Sequence, residues 1–193
     1  MPFGGGHGMV LKPEVLDRAL KSVVDHNGPR IYLSPRGRKF DQSFAKELSK
    51  EKGVVFICGR YEGVDERFID KYVDEEISIG DFIMSGGEYG AICLIDSIAR
   101  NLPGTIGNQN SVENDSFSNG FLKGPAYTRP EIFEDIEVPK VLLSGNHSKI
   151  KDWKEVKSLL KTYLRRPDLL NKVKLSKKQK DFPFCESQKN SRN

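Results

Sequence analysis

Cysteine is sparse and scattered in this 193-residue chain, with only Cys58, Cys93 and Cys185. An odd set so far apart builds neither a disulfide framework nor a C-x-x-C zinc site, and it fits a reducing compartment. Long apolar runs are also missing. None approaches the ~20 residues a membrane-spanning helix needs, so no membrane partner is expected. The opening stretch, Met1 to Met9, is glycine-rich without Lys or Arg, unlike a secretory signal. There is no Walker pattern and no G-x-G-x-x-G, which disfavours an ordinary nucleoside-triphosphate or dinucleotide site. No internal repeat is present. His7 and His26 stand too isolated to ligate a metal, so no metal site is assigned.

What remains is a globular composition, 37% hydrophobic and 30% charged, long enough for one full domain and a smaller second one. The net charge of +4 is unevenly spread. Residues 1–122 hold 14 Lys and Arg against 18 Asp and Glu, whereas residues 123–193 hold 17 against 9. A basic half joined to a mildly acidic one points to a polyanion as the partner of the basic half. A solvated lysine-rich helix with a polar tail gives the same count.

The periodicity predicts an α/β first half. Lys12 to His26 carries Val15, Leu16, Ala19, Leu20, Val23 and Val24 on one helical face, stopped by Asn27-Gly28-Pro29. Ile31-Tyr32-Leu33 reads as a short strand, followed by a helix with Phe40, Phe44, Ala45 and Leu48 on one face. Val54 to Cys58 is a continuous β-branched and aromatic run, as in a parallel strand buried on both faces. Glu76 to Met84 is a weaker extended segment. Gly87 to Asn101 is a helix with Ala91, Leu94, Ile95, Ile98 and Ala99 as its apolar stripe. Pro103 to Gly124 breaks all periodicity and reads as a linker. Beyond it, Val141-Leu142-Leu143 reads as extended. Ser148 to Leu164 reads as a helix with Trp153, Val156, Leu160, Tyr163 and Leu164 as its stripe. The expected division is an α/β domain over 1–104, a linker over 105–124 and a basic helical domain over 125–193.

Three turn-rich loops follow the three strand candidates. They are Leu33-Ser34-Pro35-Arg36-Gly37, Cys58-Gly59-Arg60-Tyr61-Glu62-Gly63, and Ser78-Ile79-Gly80-Asp81 running on to Ser85-Gly86-Gly87-Glu88. In a parallel sheet such loops gather at the carboxyl ends of the strands, where ligands bind. Glycines let a ligand approach bare backbone N–H and C=O groups, which suits an adenine edge. One loop alone would be a turn; three at matching places predict a crevice.

The same loops stand in order among further motifs: Pro2-Phe3-Gly4-Gly5-Gly6-His7-Gly8-Met9, Gly63-Val64-Asp65-Glu66-Arg67, Asp115-Ser116-Phe117, Tyr127-Thr128-Arg129-Pro130 and Val141-Leu142-Leu143-Ser144-Gly145-Asn146-His147. Together they resemble the bacterial tRNA (guanine-N1-)-methyltransferases of the SPOUT class, from Pro2 to about Leu170. The resemblance implies a parallel sheet with a deep trefoil knot, followed by a small helical C-terminal domain. It implies S-adenosyl-L-methionine as methyl donor, held by Tyr32, Leu33, Ser34 and Pro35, by Gly59, Tyr61, Glu62 and Gly63, by Ser78, Ile79, Gly80, Asp81, Phe82, Ile83 and Met84, and by Gly86 and Gly87. It implies a cytoplasmic homodimer with the active site shared between chains, methylating N1 of the guanine immediately 3′ of the tRNA anticodon. Participation of Mg2+ stays open.

By the same resemblance Asp115 matches the general base and Arg100 the arginine that stabilises charge on guanine O6. Read without it, Asp115 is a turn aspartate and Arg100 a cation at a helix C-terminus. Glu62 is placed near the cofactor, and Asp65-Glu66 is read as a helix cap. His147 reads equally as a first-turn residue or an RNA contact. Lys151, Lys154, Lys161, Arg165 and Arg166 are candidate phosphate contacts on tRNA.

Two departures from the family pattern stand out. The chain starts where family members are some fifty residues along, so their first strand and helix are expected to be absent here. Gly90 stands where a proline is usual. The alternatives to the enzyme are a non-catalytic RNA-binding form and a sister methyltransferase acting on ribosomal RNA.

Overall fold

A computed structural model describes residues 2–5, 7–23, 27–107, 114–176 and 179. Val24, His26 and Cys185 lie outside the described residues, as does most of the tail. The chain divides into two compact units, Met1–Gly107 and Asn108–Asn193.

The first unit runs α1 (Pro13–Ser22), β1 (Arg30–Lys39), α2 (Gln42–Leu48), β2 (Val55–Cys58), α3 (Glu66–Tyr72), β3 (Glu75–Ser78) and α4 (Glu88–Ala99). The three strands form one parallel sheet in the order β2-β1-β3. Alternation along β1 distributes the cores. Ile31 is buried with Phe44, Leu48, Ile77 and Leu94 beneath α2 and α4. Tyr32 points the other way, into a cluster with Ile57, Val64, Phe68 and Ile69 that Leu16 and Leu20 of α1 help to cover. The result is a sheet with helices on both faces.

Local chemistry sets the helix starts. Pro13 opens α1 at a position where its missing N–H costs nothing. Asp41 caps α2 by accepting the Phe44 N–H at 3.0 Å, and Asp65 caps α3 by accepting that of Arg67 at 3.0 Å.

Several expectations change. α1 ends at Ser22, and Phe40 lies outside α2, its N–H bonded instead to the Ser78 carbonyl at 2.8 Å. β2 is an edge of this sheet, and only Ile57 in it is fully buried. α3 is an unpredicted helix. Its seven residues are too few for a visible period, although the Asp65 cap was legible. The extended stretch after Glu76 stops at Ser78, whose Oγ accepts the Gly80 N–H at 3.2 Å and turns the chain. In α4, Ile95 is exposed while Ala91 and Leu94 are buried.

β1 is longer than Ile31–Leu33 because the Ser34–Gly37 segment is spliced into it. Ile77 is in register first with Leu33 and again with Arg38. The four residues between bulge out of the pairing.

In the second unit β4 (Ile132–Phe133) and β5 (Ile136–Glu137) form a hairpin. Glu134 and Asp135 turn it, both at positive φ as a type I′ turn requires. Then come α5 (Lys140–Leu143), α6 (His147–Arg165) and α7 (Pro167–Leu170). Val141–Leu143 is thus helical, not extended. Three apolar residues fit either state, and the Leu142 N–H bond to the Pro139 carbonyl at 2.8 Å closes a turn. Asn146 caps α6, accepting the Lys149 N–H at 3.1 Å, and His147 is the first helical residue.

The buried line of α6 is Leu159 and Thr162, while Leu164 from the expected stripe is exposed. The reason is a polar strap. Leu122 donates its N–H to Thr162 Oγ1 at 2.9 Å and accepts from Ser158 Oγ at 2.6 Å. The residues around Leu122, within the stretch read as a linker, therefore lie along α6.

Candidate functional site

The carboxyl ends of the three parallel strands open into one cleft of about 490 Å³, within the size range of small-molecule sites. Its walls are the three expected loops. Gly87 donates its N–H to the Gly59 carbonyl at 3.1 Å, and Arg60 bridges Gly86 in antiparallel fashion, so the second and third loops are tied together. The first loop is the bulge in β1, held in place by strand pairing on both sides of it.

The segment before α1 backs the second loop. Leu11 donates to the Gly63 carbonyl at 2.9 Å, and Glu62 donates to that of Met9 at 3.1 Å. A Cβ on Gly8 would fall 2.5 Å from Glu62 Cγ, so Gly8 packs directly on the Glu62 stem.

Every residue expected to hold the cofactor lines this cleft except Asp81. Asp81 is 90% exposed at its side chain and pairs with Lys39 at 3.0 Å, because the chain turns at Gly80 and carries it outward. The cleft also contains residues the sequence reading did not assign, among them Arg36, Glu66, Ile69 and Gly90. Arg36 was visible within its loop. Glu66 and Ile69 belong to α3, whose place beside the crevice no local pattern reveals.

The cleft is chemically graded. Around Gly90, in the first turn of α4, a Cβ would meet Leu33 Cδ1 at 3.2 Å and the tips of Ile79 and Met84 at 3.6 Å. These three side chains make an apolar recess floored by glycine.

Tyr32 lies elsewhere in the wall, 6% exposed, its hydroxyl against Gly59 and Gly63. Burial, with Glu76 adding to it, pushes the phenol above its ordinary range, so it stays protonated at neutral pH. Cys58 is likewise pushed up, by burial first and Glu88 second, and is therefore no thiolate nucleophile. At the rim Arg60 Nε donates to Glu88 at 2.7 Å, which holds the Glu88 carboxyl below the usual carboxylate range.

Arg100 caps the far end of α4. That helix has 12 residues, so its C-terminus stands ~18 Å along the axis from the end that meets the cleft. Asp115 belongs to the second unit, where Lys123 Nζ lies 3.8 Å from its Oδ1. Lys151, Lys154, Lys161, Arg165 and Arg166 are all exposed. At 100° per residue, Lys154, Lys161 and Arg165 fall within about 40° of one another on α6, with Lys151 about 60° away from Lys154. Arg166 is turned to Asp168, with Nε and Nη2 at 2.8 and 2.7 Å from its oxygens.

Comparison with known proteins gives a consistent answer. The profile of a family described as tRNA (guanine-1)-methyltransferase TrmD matches residues 1–172. A tRNA (guanine-N(1)-)-methyltransferase of Pseudoalteromonas translucida is 52% identical over 181 residues, covering 92% of this chain and 71% of the relative. Its counterpart from Buchnera aphidicola subsp. Baizongia pistaciae is 52% identical over 185 residues, covering 94% and 74%. That from Caldicellulosiruptor saccharolyticus is 52% identical over 191 residues, covering 97% and 78%.

Proposed function

The chain belongs to the tRNA (guanine-1)-methyltransferase family and is an enzyme of that kind, and from this premise we propose that its cleft holds S-adenosyl-L-methionine and that it methylates N1 of the guanine immediately 3′ of the tRNA anticodon. The observation that carries the reading is the cleft itself. An apolar recess of Leu33, Ile79 and Met84 packed about Gly90 suits a flat adenine ring. Gly59, Gly80 and Gly86 line the cleft without side chains, which lets the polar edge of the ring come close to main chain.

When bound, S-adenosyl-L-methionine supplies a sulfonium-activated methyl group, its S–C bond breaking as the N1–C bond forms. The protein must deal with guanine N1, which is protonated at neutral pH and a poor nucleophile. Asp115 takes the N1 proton, a task worth ~10²–10⁴-fold for a positioned base. Arg100 stabilises the negative charge that moves onto O6. The basic flank of α6, with Lys151, Lys154, Lys161, Arg165 and Arg166, holds phosphates and sets the register of the RNA.

We assign the active form as a homodimer. Tyr89, Ile92 and Ile95 make an exposed apolar stripe on α4, at 72%, 61% and 52% exposure, as a helix buried against a second copy would. Arg100 lies at the end of α4 remote from its own cleft, which favours service to the cleft of another chain. The trefoil knot belongs to this reading as well, as does a cytoplasmic location, where tRNA is met.

The test is transfer of a labelled methyl group from S-adenosyl-L-methionine to a tRNA transcript with guanine 3′ of the anticodon, run with and without Mg2+. Methylation of that transcript and not of one with adenine there is the expected result. Methylation of both, or of a ribosomal RNA fragment instead, overturns the site assignment. RNA binding without binding of S-adenosyl-L-methionine overturns the cofactor reading of the cleft.

A further inference from the structure

Asp115 stands on a loop that closes on itself. Its Oδ1 accepts the Ser116 N–H at 3.0 Å, and its carbonyl accepts the Ser118 N–H at 3.3 Å. Across the loop Phe117 donates its N–H to the Phe121 carbonyl at 2.8 Å, and Lys123 donates its own to Ser116 Oγ at 3.0 Å. Lys123 Nζ returns to 3.8 Å from Asp115 Oδ1. Residues 115–123 are thus one small body, and the Asp115 carboxylate moves with it.

That body is clamped to α6 at Leu122, through both main-chain groups of that residue. Thr162 Oγ1 accepts the Leu122 N–H at 2.9 Å, and Ser158 Oγ donates to the Leu122 carbonyl at 2.6 Å. Thr162, fully buried, donates in turn to the Ser158 carbonyl at 2.8 Å. The chain then stays on the helix. A Cβ on Gly124 would lie 3.1 Å from the Lys154 carbonyl oxygen and 3.3 Å from the Ser158 nitrogen. Apolar side chains could cover this face of α6 as well. What the hydroxyls add is direction, since a satisfied buried network specifies one arrangement. The same helix carries the candidate phosphate contacts. At 100° per residue, Ser158 lies about 40° round α6 from Lys154 and about 20° from Arg165.

We propose, resting on the reading of Asp115 as the base, that Ser158 and Thr162 are positioning residues for methyl transfer. They act through Leu122. They hold the Asp115 loop in fixed register with the basic flank of α6, so RNA phosphates seated on that flank bring the carboxylate to guanine N1. A base must come within about 2.6–3.2 Å of the proton it takes. A misplacement of about 1 Å can cost on the order of 10²-fold. Loosening the clamp therefore slows transfer without weakening either ligand.

Single-turnover methyl transfer by the full chain, with tRNA and S-adenosyl-L-methionine both saturating, tests this. Affinities for tRNA and for the product S-adenosylhomocysteine are measured on the same preparations. Thr162→Val keeps the shape and removes the hydroxyl. It is expected to slow transfer about tenfold or more, with both affinities within about twofold of wild type. Thr162→Ser returns the hydroxyl at the expense of a buried methyl, and it should recover most of the rate. Ser158→Ala cuts the other bond and should slow transfer in the same way, and it carries the test if Thr162→Val does not fold. In an Asp115→Ala chain the Thr162→Val change should add less than about twofold, because the base it would place is gone.

Transfer at the wild-type rate in both Thr162→Val and Ser158→Ala overturns the proposal. So does a loss of tRNA affinity as large as the loss of rate, or a Thr162→Ser chain as slow as Thr162→Val. A Thr162→Val effect that persists in full without Asp115 overturns it too. An Asp115→Ala chain that turns over like wild type removes the base reading, and this assignment falls with it.

Discussion

Gly37 lies so close to Glu76 that a Cβ at position 37 would sit 2.4 Å from the Glu76 carbonyl carbon. The bulge that forms the first wall of the cleft rejoins β3 through this contact. Gly37→Ala must push apart two backbones that cannot yield as a side chain tip would. We expect a loss of about 3 kcal/mol of stability, read as a shift of the urea midpoint. A midpoint within error of wild type would show that the strands separate freely here.

The α2 cap gives a pH-dependent term. Asp41 accepts from the Ser43 hydroxyl and the Phe44 N–H, and these bonds hold its carboxyl below the usual carboxylate range. A folded-state pKa below the unfolded value of ~3.9 means the stabilisation is present above that pH and is lost as pH falls through the folded pKa. Asp41→Asn keeps an acceptor oxygen at the cap but cannot titrate. Its thermal midpoint should match wild type within the equivalent of about 1 kcal/mol at pH 7 and fall less steeply below pH 4. Parallel acid profiles for the two proteins would count against the cap as a titrating element.

Thr162 is fully buried and joins two parts of the second unit through one hydroxyl, accepting from Leu122 N–H and donating to the Ser158 carbonyl at 2.8 Å. Thr162→Val keeps the shape and strands the Leu122 N–H. The expected cost is about 1–3 kcal/mol, with faster hydrogen exchange at the Leu122 amide. Unchanged exchange would mean that the strap is held by other contacts.

Asp115→Ala should lower methyl transfer by ~10²–10⁴-fold while S-adenosylhomocysteine binds as before. Single-turnover assays and titration on the same preparation separate the two effects. Turnover within a few-fold of wild type would remove Asp115 from the role of base.

On the proposed reading that the α6 flank holds phosphates, removing one of its lysines should weaken all tRNAs nearly alike. Lys154→Ala is expected to reduce the slope of log affinity against log salt by about 0.7–0.9. A change that depends on the identity of the target base would mean the residue reads sequence instead.

The sequence revealed the cleft better than it revealed the helices around it. Its loops are marked by glycines and turn residues directly after apolar strand runs, as at Cys58-Gly59 and Ser78-Ile79-Gly80, and parallel topology gathers such loops at one edge. Glu66 and Arg36 were not legible as a pair, because 30 positions separate them and only the packing of α3 brings them together. The buried face of α6 was misplaced because Thr162 reads as polar, yet its hydroxyl is satisfied inside. Asp81 was read with its neighbours, although one turn at Gly80 faces it to solvent.

The double register of Ile77 also bears on how fast the first unit can form. No hairpin joins any pair of strands in its sheet, since every pairing is parallel. Arg30 must find Asp74 across 44 positions, and β3 must then meet β1 twice, on either side of the Ser34–Gly37 bulge. Loop closure of that length comes before any reward in contacts. Refolding of this unit is accordingly expected to be slow for its size, with the cleft wall among the last parts to settle.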